Sequence, residues 1–430
     1  MSEVPVDVPV IVGPGVVADA ALLAQIAGRE CAALGVRGTL VHARDASHLL
    51  SLVRDGAVVL PGPEAEVRAL IGRPLGAVVW VDAHRADGVE PGEGASHLHG
   101  RGLSGLSWGI RHALHRVRHT PLRIPYGPSR DQWGDLYVPE GVPRPPVVAL
   151  VHGGYWRSIW AADLMEALCA DLAGRGFAVW NLEYRRPDTH GWHATIADVA
   201  TGLATLHTPR PRPSGNTARD AHGHGNPAHD DNPARESGPG HDRDDRAGRD
   251  RGDALGPNPG PNPGSDPGSN PGLDLGIDLD LDRMAVAGHS AGAQLALRAV
   301  ADGARAALAV SLAGVLDLVE GDRRWLSSGA VAAAMGGPSA APGERPSGDA
   351  DVYGAGSPLL RVPIGVPQLI VQGAADDLDL IDFGRRYAQA ARRAGDDVTY
   401  LEPPGGHFDV ITPTTSIWQA AAEAITAALA

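Results

Sequence analysis

The sequence predicts an α/β protein whose main sheet is mostly parallel, with helices on both faces. Two observations carry this. Short, nearly continuous apolar runs alternate with amphipathic stretches over residues 120–208 and 273–430. Runs of that kind suit strands buried on both faces, whereas half-exposed strands alternate polar and apolar. A second αβ rhythm fills residues 1–118, and a length of 430 residues favours two domains.

In the first unit, residues 8–12, 39–42, 58–60 and 77–81 read as buried strands. Helices are expected at 17–34, 45–54, 63–71 and 105–117. The stretch 96–102, Ser-His-Leu-His-Gly-Arg-Gly, reads as no buried strand. The size and rhythm suggest a small flavodoxin-like accessory domain, with the second domain spanning 119–430.

In the second unit, 147–151 reads as a strand and 164–174 as a helix, with Leu164, Leu168 and Leu172 on one face. Residues 177–182 read as the next strand and 196–206 as the next helix. Strands follow at 284–287, 307–312, 368–372 and 398–401. Helices are expected at 291–301 and, closing the chain, 417–429. Residues 209–272 interrupt this order with Pro-, Gly-, Asp- and Arg-rich sequence almost free of large apolar side chains. Burial there cannot offset the entropy of ordering, so a disordered insert is expected. Its histidines, His222, His224, His229 and His241, are not expected to form a specific metal site. Residues 273–282 alternate with period two and read either as an edge strand or as the acidic end of the linker.

Composition narrows the function. The net charge of −14 argues against nonspecific nucleic-acid binding. The two cysteines, Cys31 and Cys169, lie far apart in sequence, which suggests a reducing cytoplasm and no disulfide framework. The N-terminal residues show no secretory pattern, and no apolar run approaches a membrane span. A cytoplasmic enzyme with no membrane or nucleic-acid partner is the expectation.

Four short motifs carry chemistry. His152-Gly153-Gly154-Tyr155-Trp156 follows a strand. Gly288-His289-Ser290-Ala291-Gly292 lies between a strand and a helix, as a nucleophile elbow must. Gly373-Ala374-Ala375-Asp376 and Gly405-Gly406-His407-Phe408 follow later strands. Acyl transfer needs a hydroxyl, a proton shuttle and donors for the oxyanion. Ser290 is the expected nucleophile, His407 the base and Asp376 the acid that orients it. The oxyanion donors are expected from Gly153, Gly154 or Tyr155 and from Ala291. Tyr155 and Trp156 are expected to line the substrate pocket, with a core position the alternative for Trp156, while His152 shapes the turn. A second Gly-x-Ser-x-Gly, at 105–109, centres on Ser107 but follows no buried strand. Asp377 and Asp317 are the weaker candidates for the acid. His190, His193, His207 and His289 read as surface or packing residues.

Residues 120–208 and 273–430 resemble the α/β-hydrolase superfamily, in the order HGG, Ser, Asp, His. The HGGYW, Tyr184-Arg185-Arg186-Pro187, GHSAG and His407-Phe408-Asp409 elements are most similar to the kynurenine formamidase and small-carboxylesterase branch. That resemblance implies cleavage of a small formamide or ester with no cofactor and no metal. Tyr155 stands where lipase-type members have a third glycine, and the insert departs from the pattern. Residues 100–112 and Gly13-Pro14 are similar to type II 3-dehydroquinate dehydratases, without their arginine and tyrosine loop. The readings from other classes are a catalytically silent scaffold and a lyase activity of the first unit.

Overall fold

The computed structural model describes residues 7–207, 277–340 and 351–430. The insert expected at 209–272, with its four histidines, lies outside the described residues.

The first sheet has five parallel strands, β1 (Asp7–Val12), β2 (Arg37–His42), β3 (Val58–Leu60), β4 (Val79–Asp82) and β5 (Ser96–His99). Their order, β2-β1-β3-β4-β5, is that of flavodoxin-like folds. Alternation along β1 builds both faces. Val8, Val10 and Val12 pack against α1 (Ala20–Ala33), while Ile11 joins a second core with Trp80 and with Leu49 of α2 (Ala46–Leu52). Asp19 and Asp45 cap α1 and α2, each accepting a backbone N–H at 2.7 Å. A short helix, α3 (Ala65–Arg68), and a long one, α4 (Gly105–Arg118), complete the unit.

The second sheet has eight strands: β6 (Leu122–Pro125), β7 (Trp133–Tyr137), β8 (Pro146–Val151), β9 (Ala178–Leu182), β10 (Asp280–His289), β11 (Leu308–Leu312), β12 (Gln368–Val371) and β13 (Val398–Leu401). They run in the order β13-β12-β11-β10-β8-β9-β7-β6. All pairs are parallel except β6 with β7 and β7 with β9. The helices are α5 (Glu166–Gly174), α6 (Pro187–His190), α7 (Trp192–Thr205), α8 (Ala291–Ala301), α9 (Leu318–Arg323), α10 (Leu326–Met335), α11 (Val352–Gly356), α12 (Leu378–Ala394) and α13 (Ser416–Ala428). Among the described residues no helix is long and apolar enough to cross a membrane.

The structure differs from the sequence reading at several places, among them the helices α9, α10 and α12, which were not expected. Residues 96–99 do form a strand, β5, paired only with β4. Only its Leu98 is buried, so the apolar pattern that marks a strand is missing. Strands β6 and β7 were not anticipated; they carry Arg123, Gly134 and Asp135 among their apolar residues. The acidic stretch ends inside β10, which lies between β11 and β8 in mid-sheet, so Asp280 to Asp282 belong to no edge strand.

Both sheets fall within one compact unit. Trp108 of α4 packs against the cores of both.

Candidate active site

Strand order reverses at β8 and β10: from β8 the chain moves outward to β9, and from β10 it moves the other way to β11, β12 and β13. Ligands of open α/β sheets bind beyond the carboxyl ends of strands at such a reversal. The His152-Gly153-Gly154 turn leaves the end of β8, and Ser290 follows the end of β10.

Ser290 has φ 55° and ψ −120°, a strained conformation, and caps α8 at its N-terminus. Its N–H donates to the Leu312 carbonyl at 2.9 Å, and its own carbonyl accepts from Val315 N at 3.2 Å. The turn is tight because Gly292 lies on β8: a Cβ there would collide with the carbonyl oxygens of Val151 and His152. Gly153 in turn lies against the elbow. A Cβ on it would come within 2.6 Å of the His289 carbonyl oxygen and 2.9 Å of Ser290 Cβ. The N–H of Ala291, first residue of α8, has no acceptor within its own helix. The fold is that of an α/β-hydrolase.

His407 and Asp376 follow the ends of β13 and β12. Their loops are stitched together by Ala374 N to the Pro403 carbonyl at 3.0 Å and Ala375 N to the Gly405 carbonyl at 2.9 Å. Asp376 Oδ2 then meets His407 Nδ1 at 3.0 Å. The same oxygen accepts from Gln372 Nε2 at 2.8 Å, and Oδ1 accepts from Asp377 N at 2.7 Å. The carboxylate is 3% exposed and its orientation is fixed by these three bonds. Nδ1 is thereby committed, and Nε2 is the nitrogen left for proton transfer. Among the described residues, neither Nε2 nor the Ser290 hydroxyl has a hydrogen-bond partner. Catalytic contacts of this kind often tighten only around substrate.

His289 supports His407 from below. Its Nε2 donates to the His407 carbonyl at 3.0 Å, and the two rings are 4.7 Å apart. Burial, with His407 beside it, pushes the His289 imidazole well below its ordinary value, so the ring is neutral. The packing role expected of His289 is thus exercised on His407.

Beneath the HGG turn lies a buried polar cluster. His152 Nδ1 contacts the Gly153 carbonyl at 2.8 Å and Nε2 contacts Glu183 Oε1 at 3.1 Å. Its ring stacks on Tyr184 at 4.4 Å, and the Tyr184 hydroxyl donates to the His152 carbonyl at 2.7 Å. Glu183 also accepts from Ala162 N and from Arg186. Burial alone would raise the Glu183 carboxyl; Arg186 and His152 outweigh it and hold the group at about 2. His152 is therefore a fixture of the turn, as its place in the sequence suggested.

Residues 135–208, from β7 past α7, match the family BD-FAE. No curated protein matches the chain. Among solved structures, a bacterial heroin esterase aligns with 72% of this chain and 82% of its own, at 19% identity and TM-score 0.46. A thermophilic esterase of the Planctomycetes species Thermogutta terrifontis, bound to butyrate, aligns with 71% of this chain and 92% of its own, at 16% identity and TM-score 0.44. A truncated carbohydrate esterase from gut microbiota aligns with 72% and 96%, at 15% identity and TM-score 0.49.

The structure brings Gly153, Ser290 and Ala291 together at one turn, and Asp376 and His407 at another that meets it through His289. Burial raises the Tyr155 phenol, and the charges of Asp377 and Asp376 add to the rise. Trp156 is a correction. It is 1% exposed, donates from Nε1 to Gln294 Oε1 at 3.0 Å, and meets Trp192 edge-on, so it belongs to the core and not to a pocket wall. Asp377 caps α12 by accepting from Asp379 N. Asp317 caps α9 and pairs with Arg386. Ser107 lies within α4. Gln372 and Glu183 were not singled out from the sequence. Gln372 ends an expected strand four residues before Asp376, a spacing that could have marked it.

Proposed function

We propose that the chain is a serine hydrolase that cleaves a small carboxylic ester or arylformamide through an acyl-enzyme. The observation that carries this reading is the bond from His407 Nδ1 to Asp376, on loops that meet the strained Ser290 elbow through His289. Ser290 Oγ attacks the carbonyl carbon, and His407 Nε2 takes its proton and passes it to the leaving group. Asp376 holds the tautomer and stabilises the imidazolium. Ala291 N, with an amide of the 153–155 turn, holds the oxyanion. Water then repeats the sequence on the acyl-enzyme.

A small acyl group is favoured because the turn lies hard against the elbow, where Gly153 leaves no room for a Cβ. The kynurenine formamidase resemblance points the same way. The test is kinetic: N-formylkynurenine, p-nitrophenyl acetate and p-nitrophenyl octanoate are compared on the wild type and Ser290→Ala. Turnover of a short-acyl substrate, at least about tenfold above the octanoate and lost in the variant, is the expected result. Equal turnover by the variant removes Ser290 from the mechanism.

A further inference from the structure

A second hydroxyl in this protein has the partners of an activated nucleophile, and it lies away from Ser290. Ser96, on β5, contacts His112 Nε2 of α4 at 2.9 Å. His112 Nδ1 contacts both oxygens of Glu166, the first residue of α5, at 2.8 and 2.9 Å. A carboxylate gripping Nδ1–H leaves Nε2 as the acceptor for the Ser96 proton. The fourth member is Arg116, whose NH1 donates to Ser96 Oγ at 2.7 Å while its NH2 is anchored on the Gly94 carbonyl at 2.6 Å. A guanidinium on the hydroxyl oxygen stabilises the alkoxide that forms when the proton leaves.

The cluster borders a cavity. Ser96, His112 and Glu166 all line a space of about 390 Å³ between the two sheets, within the size range of small-molecule sites. The His112 and Glu166 side chains are only 12% and 11% exposed, so the relay is largely shielded from water. The same cavity is lined by Asn181 and Arg186, each buried and each with a polar atom, Asn181 Oδ1 and Arg186 Nε, that has no partner among the described residues. One is an acceptor and the other a donor. Buried groups of this sort normally find partners, so a ligand that offers both a donor and an acceptor fits the space.

We propose that Ser96, His112 and Glu166 form a second nucleophilic site, which takes a compact polar ester through an acyl-serine. Ser96 Oγ bonds to the acyl carbon, the ester C–O bond breaks, and the proton moves through His112 Nε2 to the leaving alcohol. Water then cleaves the acyl-serine by the reverse proton path. The acid comes from the second unit and the serine and histidine from the first, so the relay exists only where the two are joined.

A fluorophosphonate with a short polyether tail tests this. Serine attack forms an O–P bond and expels fluoride, leaving an adduct that peptide mass mapping assigns to one residue. In wild-type protein the Ser96 peptide is expected to carry the adduct. Ser290→Ala should retain it, and His112→Gln in that background should slow its formation at least about a hundredfold, as for loss of a general base. Wild-type protein with no adduct on Ser96 overturns the proposal whatever happens at Ser290, and needs no variant to fold. An unchanged rate in His112→Gln also overturns it. The reading of Ser290 is judged separately, on its own peptide.

Discussion

The ring of Trp108 lies 5.8 Å from that of Phe408, tilted by 58°. Trp108 belongs to α4 of the first unit, and Phe408 follows His407 and meets its ring edge-on at 5.4 Å. Phe408 is also 5.8 Å from His289. A helix outside the eight-stranded sheet thus forms part of the wall beside His407.

Trp108→Ala should lower kcat on p-nitrophenyl acetate by about tenfold, since small displacements of a catalytic group are costly. Trp108→Phe should restore most of it. Circular dichroism of both variants checks that the fold persists. Wild-type kcat in a folded Trp108→Ala protein would show that Phe408 holds its place unaided.

Asp376→Asn should reduce kcat by on the order of 10⁴, because an amide stabilises the wrong imidazole tautomer. Asp377→Ala should leave kcat near wild type and cost about 1 kcal/mol of stability, the usual price of a lost helix cap. Reversal of these two results would move the acid to Asp377.

Gly153→Ala should cut kcat by at least about a hundredfold, comparable to losing an oxyanion donor. The new methyl faces the His289 carbonyl and Ser290 Cβ at 2.6 and 2.9 Å, so the elbow or the turn must shift. The measurement is kcat with short esters, set beside the thermal midpoint.

Glu183 gives a pH signature. Its carboxyl falls from an ordinary 4.5 to about 2 in the folded protein. A lowered acid stabilises the fold fully above about 4.5, and that contribution fades as pH drops toward about 2. The difference corresponds to on the order of 3 kcal/mol. Urea unfolding should therefore show Glu183→Gln well below wild type at pH 7, with the gap narrowing by pH 3. A gap that stays constant would mean that the carboxylate charge contributes nothing.

The candidate site was easier to place than its surroundings. Ser290, Asp376 and His407 sit in short glycine turns after apolar strands, where residue type and local order suffice. Strand β5 was invisible because Ser96, His97 and His99 serve polar contacts and leave only Leu98 to mark burial. Trp156 was ambiguous because sequence does not fix which way a side chain leaves a turn. Glu183 and Trp108 matter through partners 31 and 300 positions away, His152 and Phe408, and such pairings exist only after the chain has folded.

The Arg101–Asp163 pair bears on modularity. Its two bonds, of 2.6 and 2.8 Å, join the first unit to the second, and the side chains are 1% and 4% exposed. Removing one member of such a pair strands a charge at a cost of about 3–5 kcal/mol. The first unit of this chain is accordingly no detachable cassette. A foreign domain spliced in its place would have to deliver a guanidinium to the same spot, or Asp163 would have to change with it, so the two units are constrained to change together.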